Sequence, residues 1–434
     1  MLNNKNIFNQ KKILIYGLGK SGISTFKFLK KKNYVDLYDD KKFEGINKEI
    51  KKNLIGYQRL LKKNFDYIII SPGIDVNECG LGRYLKKNFK KIYTDLDIFC
   101  SHYTKNKKIT ITGTNGKSTT ASILYKILKD QKFDARLVGN IGNPVLSEKN
   151  ISNKTIFVVE ASSYQLEYSK LFRSDISVIL NISPDHLERH KTLKKYIKAK
   201  FKIFKNQTNK DYAILNTNNF YIKREMKYQK FSSKVIKINK YIDVEFLKKV
   251  NNPYFYSDGN RENLSFIIQI IKIFKIKKVN LFRILKKFKG LKYRQQIIFR
   301  SKDLTIINDS KSTSFSSSIS ILKFMTNVSW IVGGLAKKGD NFFLVKNDCK
   351  NFKAYIFGKN TNIFVKKLKD IIKYESFTNL KPLIKKVFLD IKNNKNSKHK
   401  TILFSPAAAS FDSFKNFEER GKYFNSLIKK NFNV

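Results

Sequence analysis

Lys117 and Ser118 follow directly on a glycine in the run GTNGKST, which comprises Gly113, Thr114, Asn115, Gly116, Lys117, Ser118 and Thr119. Backbone amides of such a loop can cradle phosphate oxygens, the lysine can reach a terminal phosphate, and a hydroxyl can ligate Mg2+. The longer standard loop would place glycine where this chain has Ile111, so the motif is a shortened G-x-x-G-K-S/T form. Glu160 ends the apolar run FVVE, and a carboxylate there is costly to bury unless it meets a cation, which reads as a Mg2+ ligand. Asp185 and His186, in NISPDHLERH, come just after another apolar run, where open α/β sheets bind their ligands. His190, four residues on, is expected to be an exposed residue of a first helical turn.

A second glycine set lies near the N-terminus. Gly17, Gly19 and Gly22 in GLGKSG form G-x-G-x-x-G, with an acidic pair, Asp39 and Asp40, about 20 residues on. Read alone, this suggests an NAD-dependent dehydrogenase. Its physical content is narrower: glycines let backbone approach a pyrophosphate at a helix N-terminus, which any nucleotide diphosphate could use. Which of Asp39 and Asp40 would serve stays open.

These groups need strands and helices to hold them. KKILIY, YVDLYDD and YIIISPG read as strands of a first unit, with Ile23 to Lys30 at helical spacing between the first two. KKITIT before the second glycine loop, FVVEASS and DISVILNIS read as strands of a second unit. LTIINDS, VSWIVGG and TILFSPA read as strands of a third. Strands alternating with helices imply parallel sheets with right-handed crossovers. The expectation is an α/β chain of three domains: a Rossmann-like N-terminal one over 1–96, a central P-loop-type ATPase sheet over 97–291, and a Rossmann-like C-terminal one over 292–434. The lysine-rich stretch Lys385 to Lys400 reads as a helix end and an exposed loop.

Composition removes other classes. The 434 residues are 41% hydrophobic and include 36 Phe and 22 Tyr, ample for several cores. No apolar run approaches the roughly 20 residues that span a bilayer, and the N-terminal stretch has no small-residue cleavage site. Cys79, Cys100 and Cys349 are too scattered for a disulfide framework or a zinc site. Lys plus Arg is 88 against 34 Asp plus Glu, a formal +54, which on its face suggests a nucleic-acid-binding ATPase. The basic residues are spread along the whole chain, however, and lysine, asparagine, isoleucine, phenylalanine and tyrosine share AT-rich codons. A genome-wide bias accounts for that pattern, leaving only a long-range attraction for anionic ligands. A soluble multidomain protein of a reducing compartment, the cytoplasm, is expected.

GTNGKST, GNIG (Gly139 to Gly142), EASSYQLE, NISPDHLERH and the Ala-Lys pair of YIKAKFKIF together resemble the ATP-dependent Mur ligases of peptidoglycan precursor synthesis. INDSKST, GGLAKKGD and SPAAASFDSFKNFEERG, with GLGKSG and SPGI near the N-terminus, resemble the D-glutamate-adding branch of that family. The resemblance covers the whole chain in order. It implies an amide ligase that activates UDP-N-acetylmuramoyl-L-alanine with ATP as an acyl phosphate and couples it to D-glutamate. It also implies catalytic roles for Lys117, Glu160, His186 and Lys200, and two Mg2+ sites held by Ser118, Glu160, His186 and Lys200, the last as a CO2-derived carbamate. Loop residues 113–119 would bind ATP together with Asn260, Asn263, Arg294 and Asp309. Ser21, Asp39, Ser71, Pro72, Gly73, Asn140, Ser162 and Gln165 would meet the UDP substrate, the last three at its muramoyl part. Lys311, Thr313, Lys337, Ser410 and Phe417 would meet D-glutamate. The chain departs from the family at Gly259, where histidine is frequent, and at Ala408, where cysteine is. A monomer acting on small molecules, without nucleic acid or membrane insertion, completes the expectation. A folylpolyglutamate-type ligase shares the shortened loop and the carbamate but lacks the N-terminal UDP-type domain.

Overall fold

The computed structural model describes residues 7–41, 47–276, 278–323, 325–336, 340–349, 351–393 and 399–432. The chain divides into two compact units, residues 1–251 with 260–286, and residues 252–259 with 287–434.

The first unit carries two sheets. One has four parallel strands in the spatial order Tyr34–Tyr38, Lys12–Tyr16, Tyr67–Ile70, Ile92–Tyr93. The other has six, all parallel, in the order Lys234–Ile238, Tyr212–Asn216, Ile176–Ile179, Lys107–Thr112, Ile156–Glu160, Ala135–Gly139. Strands covered on both faces are apolar throughout, and Ile156–Glu160 (IFVVE) is buried at every position. An apolar cluster that includes Ile13, Leu96, Phe99, Phe157 and Ile179 runs from one sheet to the other. Phe99 meets Phe157 edge to face at 4.8 Å. Each such buried large side chain contributes about 1.5–3 kcal/mol.

Register decides what this sheet can present. Lys107–Thr112 lies between Ile176–Ile179 and Ile156–Glu160, with Ile111 opposite both Glu160 and Val178. The loops leaving these three strands therefore emerge side by side at the carboxyl edge, where open parallel sheets bind ligands.

The second unit holds six strands in the order Gln296–Arg300, Leu304–Asn308, Lys400–Phe404, Val328–Gly333, Phe352–Phe357, Lys373–Phe377. The first is antiparallel, with a register shift between Ile297 and Phe299, and the rest are parallel. Only residues 301–303 link the first two strands, too few for a crossover, so they must form a hairpin. The expectation of parallel sheets holds everywhere but at this edge. Helix Leu380–Asn393 takes up the start of the lysine-rich stretch, and residues 394–398 lie outside the described residues. No helix among the described residues is long and apolar enough to cross a membrane.

Candidate functional site

The loop after Lys107–Thr112 turns sharply into helix Lys117–Asp130. Gly113 and Gly116 adopt φ +157° and +81°, and a Cβ on Gly116 would stand 2.1 Å from Asn263 Oδ1. Glycine is thus required at 116 for conformation and for space. A helix N-terminus with free amides and a partial positive charge is an anion site. Lys117 Nζ folds back onto the loop's own carbonyls, donating to Gly113 O at 2.9 Å and Thr114 O at 2.8 Å. Neighbouring strand ends brace the loop. Thr114 N donates to Asn181 O at 2.9 Å, Asn115 N to Asn181 Oδ1 at 2.8 Å, and Thr114 Oγ1 lies 2.9 Å from the Tyr196 hydroxyl.

Glu160 is fully buried at the end of the adjacent strand. Its two oxygens accept from Ser118 Oγ at 2.5 Å and Asn140 Nδ2 at 2.6 Å. Lys200, on helix Leu193–Phe201, is 2% exposed and donates to Gly113 O at 2.8 Å. Its Nζ also lies 4.6 Å from the centre of the Tyr196 ring. Burial, with the nearby Lys117 charge adding to it, holds the Lys200 amine well below the usual lysine range. Neutral amine is the form that can react with an electrophile. The structure thus brings Lys117, Ser118, Glu160, Lys200 and Asn140 together around one glycine loop. Asn260 and Asn263 join them on helix Asp258–Ile273, and the buried Asn263 Oδ1 has no hydrogen-bond partner among the described residues.

His186 sits just before the one-turn helix Leu187–His190, in a left-handed conformation with φ +53°. Its Nδ1 lies 3.0 Å from the Tyr164 hydroxyl, and its ring is 6.4 Å from that of Tyr196. His190 departs from expectation. It lies in the single turn of its helix as expected, but is 2% exposed rather than open to solvent, with Nε2 3.0 Å from Ser163 Oγ. Burial and the adjacent Arg189 charge push its imidazole down to about 4.

In the N-terminal sheet the glycines divide. Gly17 has φ +97°, and a Cβ on Gly22 would meet Gly17 O at 1.9 Å, but a Cβ on Gly19 or Gly73 would meet nothing within 4 Å. Asp39 accepts from Leu18 N, inside the glycine turn, at 2.6 Å, whereas Asp40 turns to the Tyr16 hydroxyl and to Gly80 N. Asp39 is therefore the acid that faces the turn. Ser71 Oγ, beside Pro72, donates to Gly17 O at 2.7 Å, and Ser21 Oγ donates to the buried Asp95. Ser162 and Gln165 satisfy each other as the capping box of helix Ser163–Glu167.

In the second unit, Lys311 Nζ lies 4.2 Å from the centre of the Phe417 ring and Arg294 Cζ lies 6.0 Å from it. Asp309 is buried, accepting from Gln295 N and Ser405 Oγ at 3.0 Å each, and burial pushes its carboxyl up to about 7. Ser410 is buried, Thr313 is half-buried, and Lys337 lies outside the described residues. The sequence reading did not single out Arg420. It is fully buried and donates to Ser310 O at 2.7 Å, Ala408 O at 2.9 Å and Ala409 O at 3.2 Å, tying two loops to its own helix, Phe417–Phe432. Its place in the quoted run FKNFEERG was the available signal.

Known proteins resemble this chain in sequence and in fold. Residues 11–92 match the family model for the Mur ligase MurD-like N-terminal domain, and residues 111–278 match that for the Mur ligase middle domain. The chain is 33% identical over 444 aligned positions to the UDP-N-acetylmuramoylalanine--D-glutamate ligase of Rickettsia bellii, covering 96% of this chain and 97% of that one. It is 32% identical to the ligase of the same name from Francisella philomiragia, covering 96% of each. Two Thermotoga maritima crystal structures share the fold. The UDP-N-acetylmuramate-alanine ligase MurC has a TM-score of 0.57 at 16% identity, covering 97% of this chain and 100% of that one. The MurF ligase in complex with ADP has a TM-score of 0.56 at 14% identity, covering 99% and 98%. With the first glycine turn and the second glycine loop each inside a matched domain, and relatives aligned almost end to end, the chain belongs to the Mur ligase family.

Proposed function

We propose that this chain is an ATP-dependent amide ligase that adds D-glutamate to UDP-N-acetylmuramoyl-L-alanine in peptidoglycan precursor synthesis. The observation that carries the reading is the clustering of half-buried Lys117 with buried Ser118, Glu160 and Lys200 around one glycine loop at the carboxyl edge of a parallel sheet. The two aligned ligases named above support the choice of D-glutamate.

In this reading, ATP transfers its γ-phosphoryl group to the free carboxylate of the alanyl substrate, releasing ADP. The amine of D-glutamate then attacks the acyl phosphate, and the tetrahedral intermediate expels phosphate. Loop amides 113–119 and the Lys117 ammonium hold the phosphates, with Asn260 and Asn263 beside them. Lys117 must leave the carbonyls of Gly113 and Thr114 to do so, a rotation about its own side chain. Arg294 and Asp309 complete the nucleotide contacts. Ser21, Asp39 and the Ser71-Pro72-Gly73 turn take the UDP part, and Asn140, Ser162 and Gln165 the muramoyl part. Lys311, Thr313, Lys337, Ser410 and Phe417 take D-glutamate, whose two carboxylates suit lysines and hydroxyls. In this reading domain 1–96 takes the UDP part, domain 97–291 the ATP phosphates and the muramoyl part, and domain 292–434 D-glutamate and the Arg294 and Asp309 contacts.

Mg2+ fits the first of these sites. A hydroxyl and a fully buried carboxylate whose donors are a serine hydroxyl and an asparagine amide are hard oxygen ligands that suit Mg2+. Ser118 and Glu160 would hold one ion, and His186 with Lys200 a second. When bound, the ions offset negative charge on the transferring phosphoryl group. Lys200 fits carbamate formation: its buried neutral amine attacks CO2 and loses a proton, turning a cation into a long-armed carboxylate. Incubation with UDP-N-acetylmuramoyl-L-alanine, ATP, Mg2+ and a panel of D- and L-amino acids tests the whole reading. Phosphate release confined to D-glutamate is expected, and release with another acceptor alone, or none, overturns it.

A further inference from the structure

Arg189 and Tyr164 join the Ser71–Ile74 turn of the N-terminal sheet to His186 on the central one. Arg189 is 9% exposed and lies one turn beyond His186, its amide donating to His186 O at 3.2 Å. Burying a guanidinium is costly unless its donors are used. Here Nη2 donates to Ile74 O at 2.6 Å, Nε donates to Glu167 Oε2 at 3.0 Å, and Asp75 Oδ2 stands at 3.6 Å. Arg189 Cζ lies over the Tyr164 ring, 5.1 Å from its centre, a cation–π contact, and 5.8 Å from the centre of the Tyr168 ring. The far end of Tyr164 then reaches His186 Nδ1 at 3.0 Å, with the two rings 4.9 Å apart.

Two physical routes thus lead from the Ile74 carbonyl to one imidazole. One runs through the backbone of a single helical turn and the other through a stacked tyrosine and its hydroxyl. The turn needs such support. His186 holds a left-handed backbone that a non-glycine residue adopts only under constraint, and a helix of four residues does not persist unaided. Ile74 directly follows the Ser71-Pro72-Gly73 stretch, which packs on the first glycine turn through Ser71 Oγ and Gly17 O. The contact with the glycine turn and the carbonyl that Arg189 grips are thus three residues apart along one braced stretch, Ser71 to Ile74.

We propose that Tyr164 and Arg189 are positioning residues that hold the His186 imidazole in register with the Ser71–Ile74 turn, so that seating of the nucleotide-sugar substrate is transmitted to His186. This rests on the reading above, in which the turn takes the UDP part and His186 serves the ligation site.

Tyr164→Phe removes only the hydroxyl and keeps the stacked ring. Its melting temperature should stay within about 2 °C of wild type, while kcat falls about 5- to 30-fold and the KM for ATP changes less than about twofold. Arg189→Lys keeps charge but loses the fork and the flat face, and should raise the KM for UDP-N-acetylmuramoyl-L-alanine about tenfold. A readout independent of turnover comes from imidazole 1H–15N spectra, since the chain has four histidines and His186 is assignable by its Asn variant. Adding the nucleotide sugar without Mg2+ or ATP should move the His186 Nδ1 resonance in wild type. The shift should be largely lost in both variants, with calorimetry verifying that the sugar still binds. Equal shifts in all three proteins, or wild-type kcat in Tyr164→Phe, would overturn the relay. Failure of wild type itself to bind the nucleotide sugar would instead refute the functional reading beneath it.

Discussion

Replacing Glu160 by glutamine separates a charge from a shape. The side chain is fully buried, with one oxygen 2.5 Å from Ser118 Oγ and the other 2.6 Å from Asn140 Nδ2. Glutamine can keep both contacts: its oxygen accepts from Asn140, its amide donates to Ser118, and the hydroxyl turns to suit. Two charge-assisted bonds of about 1.5–3 kcal/mol become neutral ones of about 0.5–1.5, a loss of roughly 2–3 kcal/mol in all. Against this stands the desolvation penalty of a buried carboxylate, several kcal/mol. Without metal or nucleotide, the variant should melt at or above the wild-type temperature. Turnover behaves oppositely if the charge serves the phosphoryl transfer: loss of one such electrostatic partner costs about 10²- to 10³-fold in kcat. Binding of Mg2+ and a non-hydrolysable ATP analogue should stabilise wild type by about 2.7 kcal/mol at one hundred times the dissociation constant, and the Mg2+-dependent part should vanish in the variant. Melting curves with and without Mg2+, beside a phosphate-release assay, read both effects. Retained turnover within fivefold of wild type, or undiminished Mg2+-dependent stabilisation, would refute the reasoning.

Other expectations follow from single contacts. Lys200→Ala should lose most activity and regain part of it with formate or acetate, and complete absence of rescue would sink the carbamate. Asp309, held up to about 7 by burial, binds a proton in the folded chain that the unfolded chain releases near 3.8. Stability contributed by its neutral form is thus present below about pH 4 and lost as pH rises through 7, at most roughly 4 kcal/mol. Asp309→Asn should therefore gain stability relative to wild type as pH climbs from 4 to 7. A pH-independent difference in urea midpoints between the two would contradict that. Gly19→Ala meets no protein atom, so stability should fall little, about 1 kcal/mol or less for the helix N-cap, while nucleotide-sugar affinity measured by calorimetry drops. Unchanged affinity would remove the ligand from that turn.

Much of the fold was legible because its signals are local. A strand, a glycine turn and a helix lie within a short stretch at Lys12–Leu29 and again at Lys107–Asp130, and hydrophobic runs end where the sheets end. The burial of Glu160 was legible for the same reason, since an acid closing an apolar strand has few places to go. His190 was misjudged because its partner Ser163 lies 27 residues away, and no local pattern encodes that contact. Arg189 is a starker case, with its Ile74 partner 115 residues upstream in another sheet. The antiparallel strand Gln296–Arg300 hid for a different reason. Its side chains are only half-buried or exposed, and its apolar run, Ile297 to Phe299, is too short to read as a strand.

Ser162 and Gln165 teach the opposite lesson, since their S-x-x-Q spacing is itself a local capping signal that also accounts for their positions. A residue type matching a functional motif can be held by the helix start as firmly as by a ligand, and only an atom left unpaired tells the two apart. By that criterion Asn263, with a buried oxygen beside Gly116 lacking any partner among the described residues, points to a ligand more strongly than either capping residue. Gly19 and Gly73 make the same point in the other sheet. Gly17 and Gly22 are glycines because the chain itself leaves no room, whereas the other two face open space, and smallness that the fold does not require is what a closely approaching pyrophosphate would require.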